Sequence, residues 1–120
     1  ATTLRIQGEK AEARKYAIQA AEVDPTLKED MYVLIGDMVF GSTECDGKVS
    51  QVDDRARYIA AYEYYLQAGN GSIAKLKQAN AMQQFPTIGD IFTVDKEEGQ
   101  SIRVGCWIQK TVSLRKRPTE

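Results

Sequence analysis

The two cysteines of the 120-residue chain, Cys45 and Cys106, are its most reactive side chains. They can be in one of three states. Both can be free and buried thiols, they can form a disulfide, or they can act as a redox pair. A redox pair normally uses a Cys-x-x-Cys motif or a cationic helix terminus, and neither is evident here. A disulfide would close a loop of about 60 residues and contribute roughly 4 kcal/mol in the chain-entropy model. We favour the disulfide over free thiols, because it would tie the loop around Cys45 to the segment around Cys106.

Histidine is absent, which excludes His-dependent acid-base catalysis, Ser-His and Cys-His nucleophiles and His-ligated metals. Two cysteines are too few for a four-cysteine zinc site or an iron-sulfur cluster. Glu44, Asp46, Asp53 and Asp54 are close in sequence, but their spacing is not that of an EF-hand calcium loop. No carboxylate pair stands out as suited to glycoside hydrolysis. We therefore expect no enzymatic activity, no cofactor and no metal.

The charges are balanced, with sixteen Lys and Arg against seventeen Asp and Glu, so no broad field of one sign favours nucleic acid or an anionic membrane. The basic run at residues 115–117 is typical of a solvated tail. No apolar run approaches the roughly 20 residues of a membrane span, and residues 1–20 lack the apolar core of a signal peptide. These patterns predict neither a nucleic-acid partner nor a membrane span.

Helical periodicity predicts a first helix over residues 9–23 with a face of small residues, Ala13, Ala17, Ala20 and Ala21. Asp24-Pro25 ends it, since the residue before proline is pushed out of the α region. A second helix runs from residue 27 or 28 to residue 40. Its Gly36 costs about 1 kcal/mol relative to alanine and therefore indicates a close helix crossing.

Residues 41–54 are polar and lack periodicity, which predicts a loop. Asp53 or Asp54 would cap a third helix over residues 55–68, and Ser72 a fourth over about 73–84, which Phe85-Pro86 ends. The expected buried faces are Tyr58, Ala61, Tyr62, Tyr65 and Ala68 in the third helix, and Ile73, Leu76, Ala79, Asn80 and Gln83 in the fourth.

After Pro86 the apolar period changes from 3.6 to 2. Residues 102–108 and 111–115 alternate and predict two strands, joined at Gln109-Lys110 by a tight or somewhat longer turn. Residues 91–94 suggest a short third strand. We therefore expect one compact, mainly α unit with about four helices in antiparallel pairs over residues 1–86. A C-terminal β-hairpin or ribbon over residues 87–120 would pack on these helices and cover their exposed end.

The small residues of the first helix resemble those of the tetratricopeptide repeat, an antiparallel helix pair that recurs about every 34 residues. Ala13, Ala20 and Pro25 match the family's second helix, and Gly8 matches the glycine that joins its two helices. This resemblance implies that residues 1–6 form the last turn of an earlier helix. It also implies that the chain is the C-terminal part of a longer repeat protein, cut within a repeat.

A second repeat resembles the family at Tyr32, Ile35, Gly36 and Val39 of its first helix. Its second helix is matched by Ala61, Tyr65 and Ala68, about thirteen residues late for the family period, so residues 41–54 are a predicted insertion. Ile73 stands where the family has its closing proline. The matches cover roughly residues 1–73.

Cys45, Phe85-Pro86 and the closing strand at residues 104–108 resemble a subgroup of repeat proteins from the envelope of Gram-negative gut bacteria. The resemblance implies a periplasmic or cell-envelope location, with the cytoplasm as the alternative. It supplies no catalytic residue and no ligand.

The first helix of each repeat in such solenoids usually lines the surface that receives a peptide. The candidate contacts are therefore Asp30, Val33, Asp37 and Phe40, unless they face water or the next helix. We expect the double variant Asp37→Ala, Phe40→Ala to weaken partner binding without unfolding the chain.

Two aromatic residues are further contact candidates. Tyr64 projects away from the tyrosine-rich face of the third helix. Trp107 either faces outward from the ribbon or lies in the core, and we favour the core because large aromatic residues dominate small cores.

These patterns together predict a non-catalytic scaffold that binds a protein or peptide. One alternative is an accessory domain of a cell-envelope system that contacts carbohydrate through Tyr64 and Trp107. Another is a purely structural end piece of a longer solenoid.

Overall fold

The computed structural model describes the backbone of residues 2–47 and 50–118 and the side chains of 8–47, 50 and 52–118. Five helices and one antiparallel strand pair lie within these residues, which confirms a mainly α fold with a C-terminal hairpin. The elements are α1 (Thr2–Val23), α2 (Lys28–Phe40), α3 (Gln51–Ala68), α4 (Ser72–Met82), α5 (Ile88–Thr93), β1 (Ser101–Val104) and β2 (Lys110–Ser113), with 3-10 turns at Pro25–Leu27 and Thr43–Cys45.

Helix α1 runs without interruption from Thr2 to Val23. The prediction that Gly8 joins two helices, the earlier one ending at residue 6, is therefore wrong. Good helix formers flank Gly8, and a single glycine costs only about 1 kcal/mol in a helix interior. The end of α1 is as predicted: the Asp24 carboxylate accepts a hydrogen bond from Thr26 N at 3.0 Å, and Pro25 opens a 3-10 turn.

The starts of α3 and α4 differ from the predicted caps. Ser50 caps α3, since its Oγ accepts from Asp53 N at 3.3 Å, so the helix begins before Asp53 and Asp54. Gly71 rather than Ser72 occupies the cap position of α4. The connection between α2 and α3 is correspondingly shorter than the predicted loop at residues 41–54, and it ends at Ser50.

The short apolar run predicted as a third strand, residues 91–94, lies mostly in α5. Thr87 Oγ1 accepts from Asp90 N and Asp90 Oδ2 accepts from Thr87 N, both at 3.0 Å. Such a reciprocal capping box fixes the first turn of a helix. A short apolar run alone does not distinguish a strand from a buried helical turn.

The hairpin is shorter than the sequence alternation suggests. Val104 pairs with Lys110, so five residues, 105–109, form the connection. Two of them, Cys106 and Gln109, have positive φ values of 60° and 44°, which a strand does not allow. The buried side chains of the hairpin face α3, and they are Ile102, Val104, Val112 and Leu114.

Successive helices pack on one another, α1 on α2, α2 on α3 and α3 on α4. Helices α2 and α4 also touch, through an ion pair of 3.2 Å between Asp37 and Lys77. The carboxylate of Glu29 lies against Gly71 at the start of α4. The second contact joins the first turns of the two helices, and the ion pair joins turns further along each helix. Helices α2 and α4 therefore run parallel, on the same side of α3.

The predicted buried stripe of α4 faces outward instead. Ile73 and Leu76 are 57% and 60% exposed, and Ala79, Asn80 and Gln83 are exposed as well. The buried side of helix α4 carries Ala74 and Ala81, whose small side chains permit a neighbouring helix to approach closely. The side-chain amide of Gln78 donates to the carbonyls of Tyr65 and Gly69. The hairpin packs on α3, so the expectation that it covers the exposed end of the array is wrong.

The tightest helix contact is between Gly36 of α2 and the ring of Tyr65 on α3. A Cβ atom on Gly36 would lie 2.5 Å from Tyr65 Cδ1, well inside van der Waals contact. Ala61 and Ala68 are buried on the same helix as Tyr65. Gly36 therefore has the close crossing that its place in a helix predicts.

We expect Gly36→Ala to lower the free energy of unfolding by about 1–3 kcal/mol, because overpacking outweighs the helix propensity gained. Gly8→Ala is the matched control, since a Cβ on Gly8 of α1 would meet no atom within 4 Å. It should raise stability by up to about 1 kcal/mol. Urea unfolding followed by circular dichroism measures both, and a shift of the same sign in the two variants would contradict the packing argument.

Candidate functional site

The two aromatic contact candidates are buried, Tyr64 at 7% and Trp107 at 5% exposure. Trp107 Nε1 donates to Ser42 Oγ at 3.0 Å. Lys110 Nζ lies 5.1 Å from the centre of the Tyr64 ring, and Arg14 Nη1 lies 3.4 Å from its hydroxyl. Trp107 thus occupies the core, as favoured, and neither ring is placed to contact carbohydrate as the accessory-domain alternative requires.

The four candidate contacts on α2 have different surroundings. Asp30 is exposed and, within the described residues, has no ion-pair or hydrogen-bond partner. Val33 is half-buried, and the Phe40 ring meets Tyr58 edge-on with 4.9 Å between centroids. Asp37 accepts from the Tyr65 hydroxyl at 2.7 Å and pairs with Lys77. Of the two carboxylates, Asp37 is therefore engaged within the fold, and Asp30 has no partner among the described residues.

Asp37 and Phe40 therefore hold helices together. Burial raises the pKa of Tyr65, and so does the neighbouring carboxylate of Asp37, which keeps the hydroxyl protonated as the donor. The double variant Asp37→Ala, Phe40→Ala would remove this bond and the Tyr58 contact. We therefore expect it to destabilise the packing of α2 on α3 as well as to test binding.

Three other apolar side chains, on α2 and α4, are exposed. Leu34 of α2 is 45% exposed and shares its helix face with Asp30 and Asp37, at i−4 and i+3. Ile73, one turn before Lys77, and Leu76 are exposed on α4. The Asp37–Lys77 ion pair joins these two helices. We call Asp30, Leu34, Ile73 and Leu76 the α2–α4 face.

A polar pocket of about 210 Å³ lies where the segment between α2 and α3 meets α3 and the end of α4. Its walls are Asp46, Asp54, Arg55, Tyr58 and Gln84. It was not predicted, since these residues come from three parts of the chain. Only the cluster of acids around Asp46 and Asp54 was visible in the sequence.

Arg57 fixes one wall of this pocket. Its side chain is buried, and its Nε and Nη2 donate to the two carboxylate oxygens of Asp46 at 3.0 and 3.1 Å. Nη1 donates to the carbonyls of Val39 and Phe40 at the end of α2, and Nη2 also to the Tyr58 hydroxyl at 3.1 Å. Asp46 and Tyr58 are therefore held in place before any ligand arrives.

The segment that carries Asp46 is fixed at two further points. Cys45 and Cys106 are joined by a disulfide with a Cα–Cα distance of 5.7 Å, the favoured one of the three states considered. Lys10 Nζ lies 2.9 Å from Glu44 and 3.0 Å from the buried Ser42 hydroxyl. Burial of Glu44 acts to raise its pKa, but the hydrogen bond and charge of Lys10, together with hydrogen bonds from the backbone and Ser42, outweigh it, so the pKa of Glu44 is lowered.

Within residues 2–47 and 50–118, no three His, Cys, Asp or Glu side chains lie close enough together to hold a metal ion. None of the helices described is both long and apolar enough to cross a membrane.

No family model, curated protein or solved structure matches the chain.

Proposed function

We propose that the chain is a non-catalytic interaction module of the tetratricopeptide-repeat type, which binds a peptide segment of another protein on the α2–α4 face. The observation that carries this proposal is the exposure of Leu34, Ile73 and Leu76 on two parallel, touching helices. Contiguous apolar side chains at a protein surface mark binding sites more often than single ones do. Peptides are commonly bound in grooves between helices of this kind.

The order of helix packing supports the repeat-type part of the proposal. The first four helices pack in succession along the chain, as in a solenoid of helix pairs. Buried Ala61 and Ala68 and the Gly36–Tyr65 crossing occupy the positions where the family has small residues. The disulfide supports the proposed envelope location, because disulfides persist in oxidising compartments.

Charge specifies the peptide further. Asp30 is exposed at the edge of the face, and among the residues described it has no cationic partner. A peptide with apolar side chains for Leu34, Ile73 and Leu76 and one Lys or Arg for Asp30 complements this surface. Such a charge improves specificity and association rate more than affinity.

Selection from a phage-displayed peptide library, followed by fluorescence anisotropy, tests the proposal. We expect selected peptides to be apolar with a basic residue, and to bind the variant Ile73→Asp, Leu76→Asp at least tenfold more weakly. The new carboxylates would have to lose their bound water when the peptide covers them, and this desolvation is unfavourable. Both positions are exposed, so circular dichroism should show an unchanged fold.

The control is Phe92→Asp, which makes the same kind of change at an exposed position of α5, outside the face. Its affinity for the peptides should equal that of the unmodified chain. The proposal fails if no peptide is enriched, or if the peptides bind the face variant as tightly as the control.

A further inference from the structure

The outer edge of strand β2, on the side away from β1, has backbone groups without partners. Leu114 N donates to Gln100 O at 2.9 Å and Leu114 O accepts from Gly99 N at 2.7 Å, so the backbone of Leu114 faces β1. Backbone groups point alternately to the two sides of an antiparallel strand, so those of Thr111 and Ser113 point away from β1. No hydrogen bond to these outward groups is found among the residues that the structure describes. We call Thr111 and Ser113 the β2 edge.

Basic side chains surround the β2 edge. Residues 99–118 contain five Lys and Arg and no Asp or Glu, whereas the rest of the chain has eleven Lys and Arg against seventeen Asp and Glu. Arg103 and Arg115 are exposed, and neither has a carboxylate partner among the described residues. Lys110 is already paired with Glu63 at 3.6 Å. The exposed side of the hairpin therefore has an uncompensated positive charge.

Two of these cations have fixed positions. Arg103 Nη1 donates to the Thr111 hydroxyl at 3.3 Å, which places its charge over β2 on the exposed side of the hairpin. The Arg115 guanidinium lies 5.5 Å from the centre of the Tyr62 ring on α3. The chain after Arg115 is also attached to the helices, since Arg117 Nε donates to the Phe85 carbonyl at 3.2 Å. Groups ordered before binding avoid an entropic cost when a partner arrives.

The same charges disfavour a second copy of this chain as the partner. A free strand edge readily pairs with another strand, and charged side chains on it prevent such pairing between copies. Two copies joined through the β2 edge would bring four arginine side chains together, Arg103 and Arg115 from each. Like charges on neighbouring strands are destabilising, whereas opposite charges stabilise the pairing. The outer edge of β1 is the poorer place for an acidic strand, because Glu97 and Glu98 precede it.

We infer that the β2 edge binds an extended, acidic peptide segment of another protein as a third strand, antiparallel to β2. Backbone hydrogen bonds to Thr111 and Ser113 supply affinity, as in other cases where a peptide extends a sheet. Side chains alternate between the two faces of a strand, so acidic residues at every second position would face Arg103. This partner differs in charge from the peptide proposed for the α2–α4 face, and its binding does not depend on that proposal.

Fluorescence anisotropy with labelled, capped octapeptides tests the inference. The probe alternates glutamate and valine, and its controls are a block isomer of the same composition, an alternating lysine–valine peptide and a form N-methylated at the glutamates. The last keeps the charges but loses the N–H donors that would face Thr111 and Ser113. We expect each control to bind weaker than the probe by about tenfold or more. Proton–nitrogen NMR should also show slower amide exchange at both residues in the complex, which attraction between charges alone would not cause.

Proline variants identify the edge, because proline removes an N–H and is tolerated where that group points outward from a sheet. Ser113→Pro changes the β2 edge, and Ser101→Pro makes the same change at its register partner on the outer edge of β1. We expect Ser113→Pro to weaken binding of the probe about tenfold or more, and Ser101→Pro to leave it unchanged. Circular dichroism checks that both variants fold.

Charge variants give a second measurement that does not rely on proline. Arg103→Glu should weaken binding of the probe about tenfold or more, whereas Lys75→Glu at an exposed position of α4 should not. The inference is overturned if the block isomer or the N-methylated peptide binds as tightly as the probe, or if Arg103→Glu binds like Lys75→Glu. Equal binding by folded Ser113→Pro and Ser101→Pro would also overturn it. Tighter binding of heparin than of the probe would indicate a general surface for polyanions instead.

Discussion

Replacing Arg57 with leucine should lower the free energy of unfolding by about 3–5 kcal/mol, the range found when one partner of a buried ion pair is removed. The side chain is 2% exposed and connects the end of α2, the Asp46 carboxylate and Tyr58. Its loss leaves the Phe40 carbonyl without the Arg57 donor, at a cost of about 1–3 kcal/mol for a buried group, whereas the Val39 carbonyl keeps its hydrogen bond from Ser42 N. Urea unfolding monitored by circular dichroism measures the change.

Two companion variants separate this network from the general effect of losing a charge. Arg103→Leu changes the same residue type on the exposed edge of the hairpin and should cost no more than about 0.5 kcal/mol. Arg57→Lys keeps the charge but cannot bond both oxygens of Asp46 at once, so it should recover only part of the loss. A cost below about 1 kcal/mol for Arg57→Leu would show that the network contributes little.

Removing the disulfide by the double change Cys45→Ala, Cys106→Ala should lower the free energy of unfolding by about 4 kcal/mol. The bond spans 61 residues, and a loop of that length restricts the unfolded chain by about this amount in the chain-entropy model. Urea unfolding with and without reductant measures the effect. The unmodified chain should lose stability in reductant and the variant should not. If reductant leaves the unmodified chain unchanged, the bond does not constrain unfolding.

The longest regular patterns of the sequence were sufficient to predict the fold class. Helix α2 begins and ends where its periodicity and turn residues indicate, and alternation located both strands of the hairpin. Helix α5 was missed because its first turn is fixed by the side chains of Thr87 and Asp90, whereas its apolar residues fit a strand equally well. At Gly8 a weak helix breaker was overruled by the helix formers around it.

The candidate site was less accessible from sequence. Periodicity identifies a stripe on α4 but not the side on which a neighbour packs, so Ile73 and Leu76 were assigned to the wrong side. Arg57 has no local feature that marks it as buried, because its partner Asp46 lies eleven residues away across a loop. The cysteines were easier to interpret, since a chain with only two of them has few alternatives.

The disulfide also determines how the chain would carry a mechanical load. Because Cys45 and Cys106 are linked covalently, force applied to the two ends passes through the sulfur bridge and bypasses the 61-residue separation between them. At about 3.3–3.6 Å per extended residue, roughly 200 Å of contour length stays hidden until the bridge is reduced. A single proteolytic cut within that covalent ring would likewise leave one connected molecule, because the bridge still joins the two fragments.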